Sequence, residues 1–186
     1  MRIGFWMALL MFGLGAGAAI GQTPAQNQPQ PMPMGGMDMG HSMGKPSVPA
    51  GPLKIAFGDQ SAEWTPATLA SLPHKTITVF NEHAKINQTY TGVPLIDLLT
   101  RLGVPDKPHG KDLRLYLVAE GSDGYKAVYS VAEVNPDVHD ATVIVADALE
   151  GKPLADDGPL KLVATGEKRP ARWVRNLLAV QVLAVE

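Results

Sequence analysis

The chain has 186 residues, 45% of them hydrophobic, and its 16 lysines and arginines against 18 aspartates and glutamates give a formal charge of −2. That length holds one ordinary domain plus tails, and a near-neutral chain without a clustered basic stripe excludes a nucleic-acid surface. The complete lack of cysteine excludes disulfides, a lipid-anchored cysteine and any thiolate chemistry.

Residues 1–21 read as an export signal. Arg2 supplies the positive start, and Ile3 to Ile20 is apolar. Ala19-Ile20-Gly21 puts small residues where a signal peptidase reads, so cleavage is expected after Gly21. The competing reading is an uncleaved anchor, since a span needs roughly 20 apolar residues. Gly13, Gly15 and Gly17 weaken that helix. The mature protein is therefore expected in the periplasm or secreted, with no membrane attachment. Residues 22–52, rich in Gln, Pro, Gly and Met, cannot form a packed core and are expected to be a disordered linker.

The folded domain is expected over residues 53–186. Leu53 to Phe57 alternates and reads as a strand. Thr65-Pro66 opens a short helix, with Thr65 as its cap, Leu69 and Leu72 as its apolar edge and Pro73 as its stop. Lys75 to Phe80 is the next strand. Pro94 to Leu102 is the clearest helix: Leu95, Leu98, Leu99 and Leu102 make one stripe, and Gly103 caps its end. Leu113 to Ala119 and Tyr125 to Ser130 read as a hairpin around Gly121-Ser122-Asp123-Gly124. Strands follow at Thr142 to Ala146 and Leu160 to Ala164, either side of a turn at Glu150-Gly151-Lys152-Pro153. Leu177 to Val185 is almost wholly apolar and reads as a central strand covered on both faces. Many short strands and few helices, in no strict alternation, predict an α+β fold with a mixed sheet.

Several segments carry a resemblance. They are Tyr90-Thr91-Gly92-Val93-Pro94-Leu95-Ile96-Asp97-Leu98-Leu99, Ser122-Asp123-Gly124-Tyr125 and Glu150-Gly151-Lys152-Pro153-Leu154. Gly158-Pro159-Leu160-Lys161-Leu162-Val163 and Arg172-Trp173-Val174 complete the set. In this order they resemble the oxidoreductase molybdopterin-binding domain family, the sulfite oxidase-like fold, from about Leu53 to Val185. The resemblance implies a mixed-sheet domain with few short helices and a molybdopterin cofactor. It also implies a cysteine ligand to molybdenum in the segment after the second strand. Here that segment is Thr78-Val79-Phe80-Asn81-Glu82-His83. Glu82 or His83 could ligate a metal, but neither reproduces a thiolate. The loop Asn81 to Gln88 is short and polar, with little room for a deep cofactor groove.

The resemblance also points to cofactor-binding residues. Arg172 stands where the family has a basic residue that holds the pterin phosphate, and a guanidinium fork suits that group. The alternative is a solvated arginine beside a core tryptophan, with Lys168 and Arg169 as loop charges. Asp123 and Tyr125 belong to a signature that falls near the family's site, and Asp123-Gly124 also suits a hairpin turn on backbone grounds alone. Asp156-Asp157 reads as a turn whose carboxylates face water. His74, His83, His109 and His139 read as surface or loop histidines without metal-ligand spacing.

Beyond the signal, every methionine lies in one tract: Met32, Met34, Met37, Met39 and Met43, joined by His41. Thioether sulfur is a soft neutral donor that selects Cu(I), and imidazole complements it. The alternative is compositional drift in a linker.

The leading expectation is an exported, non-catalytic member of the family. It would act as a binding or accessory module for a periplasmic protein partner or a small anionic ligand, with no cofactor of its own. One alternative is a molybdopterin-dependent oxidoreductase that holds its cofactor without a thiolate. The other is a periplasmic copper-binding protein whose Cu(I) site is the tail. Hydrolase and kinase motifs are absent from the sequence.

Overall fold

A computed structural model of the chain describes residues 51–186. The expected signal, the methionine tract and nearly all of the linker lie outside the described residues. Among those described, ten strands and three short α-helices alternate irregularly. The fold is α+β, and no described helix is long and apolar enough to cross a membrane.

The strands divide into two sheets rather than the single sheet that was expected. In the first, β1 (Leu53–Phe57) forms a hairpin with β2 (Gln60–Trp64). Its other edge pairs in parallel with β10 (Leu177–Ala184). β5 (Leu115–Gly121) and β6 (Lys126–Ser130) complete the order β2-β1-β10-β5-β6. This sheet is mixed, because only the β1–β10 pairing is parallel. The second sheet is antiparallel. It joins β3 (Lys75–Asn81), β4 (Ile86–Pro94) and β7 (Val143–Leu149). Along the far side of β7 lie β8 (Lys152–Pro153) and β9 (Lys161–Ala164).

Local chemistry sets the helices. α1 (Pro66–Leu69) opens on Thr65, whose hydroxyl accepts the amide of Thr68 at 3.2 Å while its own amide donates to the Thr68 hydroxyl at 2.8 Å. α2 (Leu95–Thr100) buries Leu95, Ile96, Leu98 and Leu99 and packs on β1, β4 and β7. It is shorter than Pro94 to Leu102: Pro94 stands at its start as expected, as the N-cap residue that also ends β4, and Leu102 is buried just past its end. α3 (Val131–Val134), invisible to hydrophobic periodicity, is fixed by a reciprocal cap between Ser130 and Glu133.

Three strand expectations change. β2, β4 and the two-residue β8 were not anticipated. Leu113 falls in a 3-10 turn (Gly110–Arg114), so its strand begins at Leu115. β10 is central, between β1 and β5, yet only one face is covered: Leu177, Val180 and Val182 are buried while Leu178 and Gln181 are exposed. Apolar residues at outward positions made its run look doubly covered. Inward residues of both sheets, with α2, join a single apolar cluster that is the core.

Candidate anion pocket

A cavity of about 490 Å³ opens beside β4 and β9. Its floor begins with Lys161, the first residue of β9. That strand is buried along its whole length, flanked by β7 on one side and by a bridge between Leu162 and Val174 on the other. A lysine in such a place must find partners. The Lys161 ammonium, 8% exposed, sits 2.6 Å from Asp157 Oδ2 and donates to the Tyr90 hydroxyl at 3.1 Å. It also lies 4.9 Å and 5.3 Å from the ring centroids of Tyr90 and Trp173, where the ring quadrupoles favour a cation. The two rings meet edge to face at 5.8 Å, and the Trp173 indole donates to the Ala164 carbonyl at 3.0 Å.

The hydrogen bonds continue. The Tyr90 hydroxyl donates to Gln88 Oε1 at 3.2 Å, and the same oxygen accepts from Asn81 Nδ2 at 2.8 Å. One polar chain thus runs from Asn81 through Gln88, Tyr90 and Lys161 to Asp157. Beyond it stands Arg175, with Nε 3.9 Å from Asp157 Oδ1. Arg175 lines the cavity, and its Nε and Nη2 are buried without a hydrogen-bond partner. Two cations therefore share one carboxylate. Gly158, at φ +79°, turns the chain between Asp157 and β9; a Cβ there would fall 2.2 Å from the Asn176 side chain.

This geometry corrects two expectations. Asp157 does not face water; it is the counter-ion of Lys161. The segment Asn81 to Gln88 is not one loop, since Asn81 ends β3 and Ile86 begins β4, leaving only Glu82 to Lys85 as the turn. Asn81, His83 and Gln88 line the cavity that the sequence left no room for.

Residues 58–186 match the oxidoreductase molybdopterin binding domain. The chain belongs to this family. A second likeness is partial: over 82 residues the chain is 33% identical to the DNA primase small subunit PriS of Thermoplasma volcanium. That stretch is 44% of this chain and spans only 23% of the primase.

In this molybdopterin-binding domain the residues do not fit molybdenum. The segment that carries the family's thiolate presents Asn81 to the cavity, and both ends of its side-chain amide are engaged. Asn81 Oδ1 accepts the amides of His83 and Ala84 at 2.9 Å and 3.0 Å, while Nδ2 holds Gln88. Glu82 pairs with Lys85 at 2.7 Å. Among the described residues no group of three or more His, Cys, Asp or Glu is placed to hold a metal ion. The cationic side of the cavity, in contrast, suits a negatively charged group.

The residues singled out from the sequence lie elsewhere. Arg172 belongs to a smaller cavity of about 180 Å³ with Tyr129, Glu133 and Glu167. It donates to Glu133 at 3.0 Å, twice to Glu167 and to the Val128 carbonyl, and its guanidinium carbon is 4.4 Å from the Tyr129 ring centroid. Burial disfavours charge on Glu133, but the Ser130 amide and Arg172 hold its carboxyl below the usual value. Burial first, helped by the nearby Glu167 and Glu133 charges and opposed by Arg172, pushes the Tyr129 phenol far up. Tyr125 donates to the Ala171 carbonyl, at the same 3-10 turn (Pro170–Arg172) that carries Arg172. Asp123 closes its own hairpin turn by accepting the Tyr125 amide at 3.0 Å. None of the three lines the larger cavity. The methionines and His41 lie outside the described residues.

Sequence reasoning missed Tyr90, Lys161 and Arg175 as a group. One signal was available: a lysine set inside the apolar run Leu160-Lys161-Leu162-Val163.

Proposed function

We propose that this domain is an exported, non-catalytic binding module of the molybdopterin-binding family that takes a small anionic ligand between Lys161 and Arg175. The observation that carries the reading is a cavity lined by two cations that share one carboxylate, one of them an arginine with two buried N–H groups lacking hydrogen-bond partners. Charge-assisted hydrogen bonds to an anion supply those missing partners. The absence of any thiol supports a role without molybdenum chemistry. Calorimetric titration of the mature chain with sulfate tests it. Binding that weakens at least tenfold in both Lys161→Met and Arg175→Met is expected. Binding that survives in both variants contradicts the proposal.

Two other readings have support of their own. Family membership supports a molybdopterin-dependent oxidoreductase that keeps its cofactor without the thiolate; pterin released from the purified protein would favour it. The confinement of all methionines beyond Gly21 to Met32–Met43 supports a Cu(I) site in the tail made of those methionines and His41. Competition against a Cu(I) chelator separates this from a plain linker. The tail reading requires the full mature chain to take up copper that a chain starting at Pro52 does not.

A further inference from the structure

Resting on the anion reading, we infer that the cavity takes an organic monoanion: one carboxylate on a compact apolar or aromatic body. Charge comes first. Lys152, Lys161 and Arg175 line the cavity against Asp156 and Asp157, which leaves one positive charge among these groups. A dianion would exceed that balance, and a neutral ligand would leave it unmet.

Donor geometry comes second. Nε and Nη2 are the side-on edge of the guanidinium, two parallel N–H groups that match the two oxygens of a carboxylate. At Arg175 both are buried and lack a hydrogen-bond partner, with Nε 3.9 Å from Asp157 Oδ1, so a carboxylate meets them once the Arg175 side chain turns further toward the cavity it lines. Lys161 has three N–H bonds, and Asp157 and Tyr90 receive two of them. The third remains for the ligand.

Size and lining come third. About 490 Å³ lies in the range of sites for whole organic molecules and far exceeds what a lone oxyanion fills. Leu149, Pro153, Leu154 and Pro170 supply an apolar wall to the same cavity. An inorganic anion leaves that wall in water, whereas an organic body covers it.

The test uses the full mature chain and three probes: 2-naphthoate, its neutral isostere 2-naphthamide, and inorganic sulfate, with calorimetry as the readout. The expected result is naphthoate binding at least tenfold tighter than either of the others. Arg175→Met is expected to bring naphthoate down to the level of the amide, and unchanged melting of that variant verifies its fold. Equal binding of naphthoate and naphthamide overturns the inference, because the charge is then not read. Sulfate binding as tight as naphthoate overturns it too, yet leaves the anion reading standing. No binding of any probe overturns both. The comparison of probes on the wild-type chain decides the matter even if the variant fails to fold.

Discussion

Gly92 shows why the Tyr-x-Gly-Val-Pro-Leu run needs its glycine. It sits at a bulge where β4 meets β7, and a Cβ there would lie 2.2 Å from the Val145 carbonyl oxygen and 2.5 Å from the Ala146 Cα. Both neighbours are backbone in a central strand and cannot yield. Gly92→Ala is expected to destabilise the domain by about 1–3 kcal/mol, the usual range for overpacking, as read by chemical denaturation. The same strand places Tyr90 two residues earlier, facing Lys161, so the glycine positions the pocket as well as the sheet. Asp157 offers a test with two signs. Asp157→Asn removes the one carboxylate shared by Lys161 and Arg175. The melting temperature is expected to fall, because two confined cations lose their counter-charge, while sulfate affinity is expected to rise. A variant that binds sulfate less tightly than wild type counts against the pocket's electrostatics. Lys161 was visible in the sequence as a charge inside an apolar run. Its partner Tyr90 was not, because it is 71 positions away and no local pattern links the two, and Asp157, four residues earlier, was read as a turn carboxylate facing water.

Among the elements, α2 was the most legible, since its leucines recur at helical spacing and all face one way. Leu98 is fully buried, and Leu98→Ala is expected to cost about 2–5 kcal/mol of unfolding free energy. A loss below about 0.5 kcal/mol would be the value of a surface site. The four-residue helices were legible only through their caps: Thr65-Pro66 was read, whereas Ser130 with Glu133 was passed over. β4 was hidden because Gly92 and Pro94 are poor strand formers; the bulge accommodates the glycine, and Pro94 is the last residue of the strand. One contact between elements is sensitive to pH. His74, in the loop between α1 and β3, reaches Asp147 on β7 with Nε2 at 2.9 Å and the Leu72 carbonyl with Nδ1 at 2.8 Å. Both partners only accept, so only the protonated ring satisfies both at once. The Asp147 hydrogen bond accordingly raises the His74 pKa above its ordinary 6.5, against the opposing effect of burial. A histidine raised in the folded state stabilises fully below its unfolded pKa, and that contribution vanishes as pH climbs through the folded value. The melting-temperature gap between wild type and His74→Gln is therefore expected to be widest below about pH 6.5 and to close in mildly alkaline buffer. A gap that widens with pH would contradict this protonation state.

At the scale of the molecule, α+β character was readable from many short strands and few helices. Division into two sheets was not, because strand pairing is a long-range property: β1 pairs with β10, and β4 with β7. The cavity follows from that topology. Residues from β4, β9 and the segment after the Pro170–Arg172 turn converge only once the second sheet closes on Trp173. Arg172, Asp123 and Tyr125 were found by resemblance and lie in well-satisfied contacts outside it. The family's framework is retained here, while the segment Thr78 to His83 holds no thiol and presents to the cavity an asparagine tied into a hydrogen-bond chain. We propose that the domain keeps the fold and has left the molybdenum chemistry. Metal and pterin analysis of the mature protein, purified from a host that makes the cofactor, tests it most directly. The expected result is no stoichiometric molybdenum and no releasable pterin; about one molybdenum per chain would contradict the account.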